Sequence, residues 1–261
     1  MGRLDGKVAI VTGAGTGIGQ ASALKLAVEG ARLVLAGRQK ASLRKVMAQI
    51  VGNGGNANFQ VTDVEIEDQA RGLVHATLIE HGRIDILVNS AGYPARARSV
   101  RWVKTDAWDQ ALRVNLTGPY FLVQEVLHGM IERGTGTIIT VASMAALRGS
   151  VMGGAAYAAA KAGVVNLMRQ INLELHDKGV RACSILPGEV DTPILNKRPL
   201  PPDDEARSSM MKPEDVASAV LLCATMPDRT RVEEIRMGPT VQRDASREIQ
   251  ANMMEGAPSD T

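Results

Sequence analysis

The chain has 261 residues and a mass of 27.8 kDa, and its 45% hydrophobic and 22% charged residues are typical of a globular protein. The net charge is only +2 and aromatic residues make up 3%, so neither nucleic acid nor a membrane is expected as a partner. The 2 cysteines are too few for a disulfide framework. No apolar run approaches the roughly 20 residues of a membrane span. We expect a soluble, cytoplasmic protein.

Short apolar runs alternate with longer amphipathic stretches along almost the whole chain. The predicted strands are residues 7–12, 32–36, 84–90, 137–142 and 180–186, with weaker candidates at 57–61 and 232–237. The predicted helices are residues 17–29, 41–51, 68–81, 105–131, 155–178 and 213–225. Nearly continuous apolar strands are typical of strands covered on both faces, and strand–helix alternation requires right-handed crossovers. The sequence therefore predicts an α/β fold with a doubly wound parallel sheet in a single domain.

Two segments depart from this alternation. Residues 191–212 contain four prolines and mixed charge, which predicts a long loop that acts as a lid over a substrate site. Residues 241–261 are polar and lack a strand pattern, which predicts either a frayed tail or an arm that docks on a partner subunit. We therefore assign the main domain to residues 1–240 and the tail to residues 241–261.

A glycine-rich turn joins the first predicted strand to the first predicted helix. Glycine permits a tight turn and close approach to a phosphate, and the start of a helix favours an anion. The spacing of Gly13, Gly17 and Gly19 differs from the G-x-G-x-x-G dinucleotide fingerprint, so a merely structural turn is the alternative. Its position between a buried strand and a helix favours a dinucleotide phosphate site.

Arg38 follows the second predicted strand, where an NAD site would place an acidic residue on the ribose 2′-hydroxyl. A guanidinium instead suits a 2′-phosphate in both charge and geometry. An exposed arginine without a ligand is the alternative. The sequence thus favours NADP and leaves NAD possible.

Tyr157 and Lys161 are four residues apart, which places them one turn apart on the same face of a predicted helix. A cation lowers the pKa of a phenol and so makes proton exchange with a substrate oxygen possible. A core tyrosine beside a solvated lysine is the alternative. The position of the pair in the predicted fold favours the catalytic interpretation. Neighbouring predicted strands end at Ser143, in the 89–92 segment and at Pro187–Gly188, and such ends meet at one sheet edge.

Together these motifs resemble those of the short-chain dehydrogenase/reductase family over nearly the whole chain. The matching segments are TGAGTGIG at 12–19, Asp63 after the third strand, NSAG at 89–92, Asn115 in VNLTG, Ser143, YAAAK at 157–161 and PGEVDT at 187–192. The resemblance implies a Rossmann fold and hydride transfer between NADP(H), or NAD(H), and a secondary alcohol or ketone. It also implies a homo-oligomer, a tetramer or a dimer, paired through the helices predicted at 105–131 and 155–178.

The resemblance further implies a role for each of four residues. Tyr157 would exchange a proton with the substrate oxygen, which Ser143 would hold. Lys161 would lower the pKa of Tyr157 and bind the nicotinamide ribose, and Asn115 would interrupt a helix and position a water that connects Lys161 to solvent. The implied cofactor-binding residues are Gly13, Thr16, Gly17, Ile18, Gly19, Arg38, Asp63, Val64, Asn89, Ala91, Gly92, Tyr157, Lys161, Pro187, Gly188, Val190 and Thr192.

Two alternatives to a general ketone reductase stay open. One is a 3-oxoacyl-acyl-carrier-protein reductase, and the other is a catalytically silent NAD(P)-sensing scaffold. A basic run bears on the first: Arg96, Arg98, Arg101 and Lys104. We interpret this run as a solvated loop rather than a site for an anionic substrate or an acidic carrier protein. The four histidines show no ligand spacing, so no metal site is expected.

Overall fold

Seven parallel strands form the central sheet of the computed structural model, which describes residues 2–258. They are β1 (Val8–Thr12), β2 (Arg32–Gly37), β3 (Asn56–Val61), β4 (Ile86–Asn89), β5 (Gly136–Val141), β6 (Val180–Pro187) and β7 (Glu234–Met237). Their order is β3-β2-β1-β4-β5-β6-β7, and every neighbouring pair is parallel. The predicted α/β fold is confirmed, and both weaker candidates are strands.

Helices cover both faces of the sheet. They are α1 (Gly17–Val28), α2 (Lys40–Gly52), α3 (Glu67–His81), α4 (Thr105–Leu112), α5 (Gly118–Glu132), α6 (Ala155–Glu174), α7 (Asp204–Ser208), α8 (Pro213–Thr225) and α9 (Ser246–Met254). Helices α1 and α8 share one core with the sheet, through residues such as Leu26 and Val220. Helices α3 and α5 share a second core on the other face, through residues such as Leu73 and Leu122. This two-sided burial explains why β1, β4 and β5 are buried at every position.

The chain changes direction across the sheet between β3 and β4. Strand β1 pairs with β2 on one side and with β4 on the other, so the connections after β1 and after β4 run to opposite sides. In open α/β sheets such a switch point leaves a crevice at the carboxyl ends of the strands. The fold therefore places the ends of β1 and β4, with their glycine-containing turns, at the border of a ligand site.

The structure differs from the predicted elements in three places. The helix expected at 105–131 is two helices, α4 and α5, separated by a π-helical turn at Arg113–Thr117. The lid segment 191–212 contains a 3₁₀ turn at Pro193–Lys197 and the short helix α7. The tail contains α9, which packs on its own chain, while residues 259–261 of the tail lie outside the described residues.

Two further properties concern the environment of the chain. No helix among residues 2–258 has both the length and the hydropathy needed to cross a bilayer. The cysteines Cys183 and Cys223 are buried free thiols whose sulfur atoms lie 3.2 Å apart, between β6 and α8. The hydrogen bond with Cys223, together with burial, raises the pKa of the Cys183 thiol, so that residue is held protonated and unreactive at neutral pH.

Candidate active site

A cleft of about 910 Å³ opens at the carboxyl edge of the sheet. The predicted site residues that line it are Gly13, Thr16, Gly17, Ile18, Gly19, Arg38, Asp63, Val64, Ala91, Gly92, Ser143, Tyr157, Lys161, Pro187, Gly188, Val190 and Thr192. Two predicted residues, Asn89 and Asn115, do not line the cleft and are buried behind its wall, 3% and 0% exposed. The structure therefore brings together in one cavity residues that are distributed over 180 positions of the sequence.

The glycine turn after β1 is shaped by close approach of backbone to backbone. A Cβ atom at Gly19 would lie 2.3 Å from the carbonyl oxygen of Gly13, and one at Gly13 would lie 2.9 Å from the Cα of Ala91. Gly13 and Gly17 also have positive φ angles, 63° and 54°. Helix α1 starts at Gly17 with no side-chain cap and no acidic residue in its first turn. Its free N–H groups and its dipole therefore favour an anion in the cleft.

Thr12 connects this turn to the end of β4, a role that the sequence analysis did not assign. Its hydroxyl oxygen accepts hydrogen bonds from the backbone N–H groups of Ser90 and Ala91, at 3.1 and 3.2 Å. The hydroxyl is buried, with Thr12 only 1% exposed. Two strand ends separated by 76 residues are thus held in fixed register at the floor of the cleft.

Arg38 lies at one end of the cleft, at the point where β2 leads into α2. Its side chain is 52% exposed, and its closest acidic partner is Asp63, with Nη1 and Oδ2 3.8 Å apart. A pair at this distance and exposure is weak, so the guanidinium is available to a ligand. Gln39 and Ser42 line the same end of the cleft and are joined by a hydrogen bond of 3.1 Å. Their position directly after β2 is the signal that could have marked them in the sequence.

Asn115 lies in the π-helical turn between α4 and α5. Its Nδ2 donates to the backbone carbonyls of Ala111 and Tyr93, both at 2.8 Å, and its Oδ1 accepts from the Tyr93 N–H at 3.3 Å. These bonds join the interrupted helix to the segment after β4. A π turn inside a helix is rare and is frequent at functional sites. Asn115 therefore shapes the cleft wall through the backbone that it holds.

Tyr157 and Ser143 meet at the centre of the cleft. Ser143 follows β5 in extended conformation, and its hydroxyl oxygen caps a short 3₁₀ turn by accepting from the Ala145 N–H at 3.1 Å. Burial raises the pKa of Tyr157, and the Ser143 hydroxyl and the positive charge of Arg98 each offset part of that rise. The free protein therefore holds Tyr157 protonated at neutral pH. A protonated phenol that lines the cleft is suited to donate its proton to a substrate oxygen.

Lys161 lies one turn further along α6 and is 4% exposed. Its Nζ donates to the backbone carbonyl of Val141 at 2.8 Å and lies 5.5 Å from the centroid of the Tyr157 ring. Burial lowers the pKa of Lys161 to about 8. The alternative of a solvated lysine beside a core tyrosine is therefore excluded, because the ammonium is inside the cleft wall.

The basic run after β4 does not behave as one solvated loop. Arg96, Arg101 and Lys104 are exposed as expected, but the expectation is wrong for Arg98, which is 5% exposed and lines the cleft. Its Nη1 donates to the backbone carbonyls of Met152 and Gly153, at 3.0 and 2.9 Å. The carbonyls of the turn before α6 thus hold the Arg98 side chain in a buried position. This contact joins segments more than 50 residues apart.

The tail helix α9 closes one side of the cleft. Its Glu248 is 7% exposed and forms ion pairs with Arg198 and Arg243, and both arginines also pair with Glu189. Ile249 of the same helix contributes to the cleft lining. Within the described part of the tail, α9 is therefore a helix in the wall around the site of its own chain, and the expectation of a frayed tail is wrong for Ser246–Met254.

A search of residues 2–258 finds no group of three or more His, Cys, Asp or Glu side chains arranged to hold a metal ion. The charged groups of the cleft are instead arginine and lysine side chains together with two acidic residues, Asp63 and Glu189.

The family model described as short chain dehydrogenase matches residues 7–202. A 3-oxoacyl-acyl-carrier-protein reductase of Thermotoga maritima is 35% identical over 228 residues, which cover 85% of this chain and 92% of that protein. The crystal structure of a metagenomic short-chain oxidoreductase in complex with NADP is 36% identical, with a TM-score of 0.80 over 92% of this chain and all of that one. An actinorhodin polyketide ketoreductase structure with NADPH is 29% identical, with a TM-score of 0.82 over 91% of this chain and 97% of that one.

The fold and the cleft thus define a nicotinamide-dependent oxidoreductase built on a doubly wound parallel sheet. The chain belongs to the short-chain dehydrogenase/reductase family, and it is an NAD(P)-dependent oxidoreductase that acts on CH–OH groups. The site itself fits such a cofactor. The backbone cradle at Gly13 and Gly19, which a Cβ would fill, and the uncapped start of α1 suit a pyrophosphate.

The lowered pKa of Lys161 predicts a pH-dependent stability. Below about pH 8 the lysine is protonated in both states, whereas between about pH 8 and 10 the unfolded chain binds more protons, so the free energy of unfolding rises with pH. We expect this rise to be roughly 2 to 3 kcal/mol larger in the wild type than in Lys161→Met. Urea denaturation at a series of pH values measures it.

Lys178→Met is the matched control for this measurement, because Lys178 is exposed and pairs with Asp177 on the surface. The control should keep the rise of the wild type. Parallel pH profiles for the wild type and Lys161→Met would contradict the burial of a charged lysine in this site.

Proposed function

We propose that this oxidoreductase reduces a ketone to a secondary alcohol, and catalyses the reverse oxidation, with Tyr157 as the general acid and base. The observation that supports this most directly is the placement of Tyr157 and Ser143 together in the cleft, beside the glycine turn. The nicotinamide ring, when bound, supplies or accepts the hydride. The residues of the chain bind, orient and move the proton.

In this proposal Tyr157 donates its phenolic proton to the carbonyl oxygen as negative charge develops there. Ser143 donates its hydroxyl hydrogen to the same oxygen, so that a preorganised donor stabilises the developing charge. Burial favours the proton-loaded state of Tyr157, which suits the direction of reduction. Burial brings the pKa of Lys161 to about 8. In this proposal Lys161 binds the nicotinamide ribose and exchanges protons with solvent through a water that Asn115 positions.

The cofactor proposal is NADP(H), with NAD(H) as a weaker alternative. The pyrophosphate would lie over Gly13, Thr16, Ile18 and Gly19, and the guanidinium of Arg38 would bind the 2′-phosphate. Gly17 is a further proposed cofactor contact. The remaining proposed contacts are Asp63 and Val64 toward the adenine, Asn89, Ala91 and Gly92 toward the ribose, and Pro187, Gly188, Val190 and Thr192 toward the nicotinamide. NADP or NADPH in the related crystal structures supports this choice.

Two alternative functions differ in how well the observations support them. The name of the Thermotoga maritima relative favours a 3-oxoacyl thioester as substrate, and the exposed cations Arg96, Arg101 and Lys104 are accessible to an acidic carrier protein. A sensing scaffold without catalysis has no need for a buried tyrosine–lysine pair. Acyl thioesters therefore belong in the substrate panel, and the scaffold does not need a separate test.

We also propose a homo-oligomer, a tetramer or a dimer, paired through α5 and α6, whose outer faces expose Tyr120 at 41% and Leu173 at 70%. Apolar side chains of this size on neighbouring helices are typical of a subunit interface. Light scattering tests this, and a particle of 27.8 kDa would contradict it. Two free thiols are consistent with our proposal that the protein works in the cytoplasm, which cell fractionation tests.

Removal of the phenolic hydroxyl tests the proposed general acid. We expect Tyr157→Phe to lower kcat by about 100-fold or more, because general acid–base catalysis typically contributes a factor of that size. NADPH affinity should fall far less than kcat, since the ring remains in place. NADPH consumption is followed over a panel of ketones, diketones and acyl thioesters. Tyr120→Phe, which removes an exposed hydroxyl, is the matched control, and equal loss in both variants would contradict the assignment.

Substitution of Arg38 tests the choice of cofactor. Loss of a charge-assisted hydrogen bond to the 2′-phosphate should weaken the preference for NADPH over NADH by about 10- to 100-fold in Arg38→Leu. The ratio of kcat/KM for the two cofactors measures it. Arg44→Leu removes an exposed arginine from the same helix region outside the cleft and should leave the ratio unchanged. A wild-type preference for NADH would overturn the role of Arg38 alone.

A further inference from the structure

Arg98 is a buried arginine without an acidic partner. It is 5% exposed, and no salt bridge reaches it from any residue between positions 2 and 258. Burial lowers its pKa to about 10, so the guanidinium is still charged at neutral pH. A buried charge without a counter-charge is costly, and a lysine can avoid that cost by losing its proton whereas an arginine cannot.

The guanidinium is held in a fixed orientation with part of its hydrogen-bonding capacity unused. Nη1 donates to the carbonyls of Met152 and Gly153, while Nε is buried and makes no hydrogen bond within residues 2–258. The side chain passes directly over Gly154, where a Cβ would lie 2.8 Å from the Arg98 Cδ. Glycine at position 154 thus leaves room for the arginine to reach the start of α6. Carbonyl dipoles offset only part of a full positive charge.

The position of Arg98 relates it to the reacting group. It lines the same cleft as Ser143 and Tyr157, and its charge lowers the pKa of the Tyr157 phenol. Its electrostatic field therefore reaches the atom that the proposed function places against the substrate oxygen. A ligand that occupies the space beside Tyr157 also lies beside this guanidinium.

The other charges at this end of the cleft do not supply a counter-ion. Glu189 is the acidic residue that lines it there, and its carboxylate pairs with Arg198 and Arg243. Arg148 and Lys197 add positive charge to the rim. Glu189 and Glu248 together balance only the two arginines with which they pair. The other cations leave the substrate end of the cleft electropositive, so it attracts an anion.

We infer that Arg98 binds a carboxylate of the substrate, so that the enzyme acts on an oxo acid and the corresponding hydroxy acid rather than on a neutral ketone. This inference rests on the proposed function and names its substrate class. A carboxylate is planar, accepts several hydrogen bonds and matches the guanidinium in geometry as well as in charge. Binding of the acid supplies the counter-charge that the folded chain does not provide.

The test compares each oxo acid with its own methyl ester, which keeps the ketone and removes the charge. Reduction of 2-oxo and 4-oxo acids of five or six carbons, and of their esters, is measured with NADPH. We expect the wild type to prefer the acid, and Arg98→Met to lower kcat/KM for the acid by about 10- to 100-fold. The ester shares any effect of the lost charge on Tyr157 but loses no charged contact, so the ratio of kcat/KM for acid to ester should fall in Arg98→Met.

Arg96→Met is the matched control, because Arg96 lies two positions away, is exposed and pairs with Glu255 outside the cleft. It should keep the wild-type preference for the acid. A structural role of Arg98, through the turn at Met152 and Gly153, would reduce acid and ester turnover equally. That outcome would overturn the inference, as would a wild type that reduces the esters as fast as the acids.

A binding measurement separates this inference from the proposed function and does not depend on a stable Arg98→Met variant. The unfolding temperature of the NADP-bound wild type should rise with 4-oxopentanoate and not with its methyl ester. The rise should persist in part in Arg98→Lys and be absent in Arg98→Met. If acids bind in this manner but no ketone is turned over, the proposed function fails, and only the binding of a carboxylate by Arg98 stands. If neutral ketones are reduced and acids neither bind nor react, the inference alone fails.

Discussion

The close approach of three backbone segments at the carboxyl end of β1 is the constraint on which the rest of the site depends. Gly19 touches the carbonyl of Gly13, and Gly13 touches the backbone at Ala91, at distances that exclude a Cβ. These contacts bring the turn before α1 against the end of β4, and the Thr12 hydroxyl holds the ends of β1 and β4 in register. The anion-binding end of a helix is therefore fixed beside the strand ends from which Ser143 and the segment before Tyr157 extend.

Burial changes the pKa values of three ionisable residues in the cleft, with a different consequence for each. It keeps the phenol of Tyr157 protonated, it brings the pKa of Lys161 down to about 8, and it leaves Arg98 charged. The lowered pKa of Lys161 places one proton donor close to the range in which transfer is useful, while the raised pKa of Tyr157 keeps its proton in place. Arg98 keeps a positive charge, which an anionic ligand can balance. Burial of these groups in the cleft wall therefore sets both the acid–base chemistry and the charge that the substrate is expected to carry.

Much of the fold and part of the site could be predicted because the relevant signals are local. Continuous apolar runs marked the strands, and parallel topology placed Ser143 and Tyr157 at one edge. The interruption of the helix at Asn115 entered only through a family resemblance, since the bonds that hold it reach Tyr93 in another segment. The burial of Arg98 was missed because side-chain type alone favours exposure, and the carbonyls that draw it inward lie more than 50 positions away. The docking of α9 likewise depends on distant ion pairs.

The most direct test of this account is the affinity of the protein for NADPH after the contact at Gly19 is disturbed. Fluorescence titration would compare the wild type with Gly19→Ala and with Gly72→Ala, whose added Cβ meets no atom within 4 Å. We expect Gly19→Ala to weaken NADPH binding by at least about tenfold, because the turn must open, while Gly72→Ala leaves the affinity unchanged. Equal affinity in all three proteins would contradict the claim that this backbone contact builds the cofactor site.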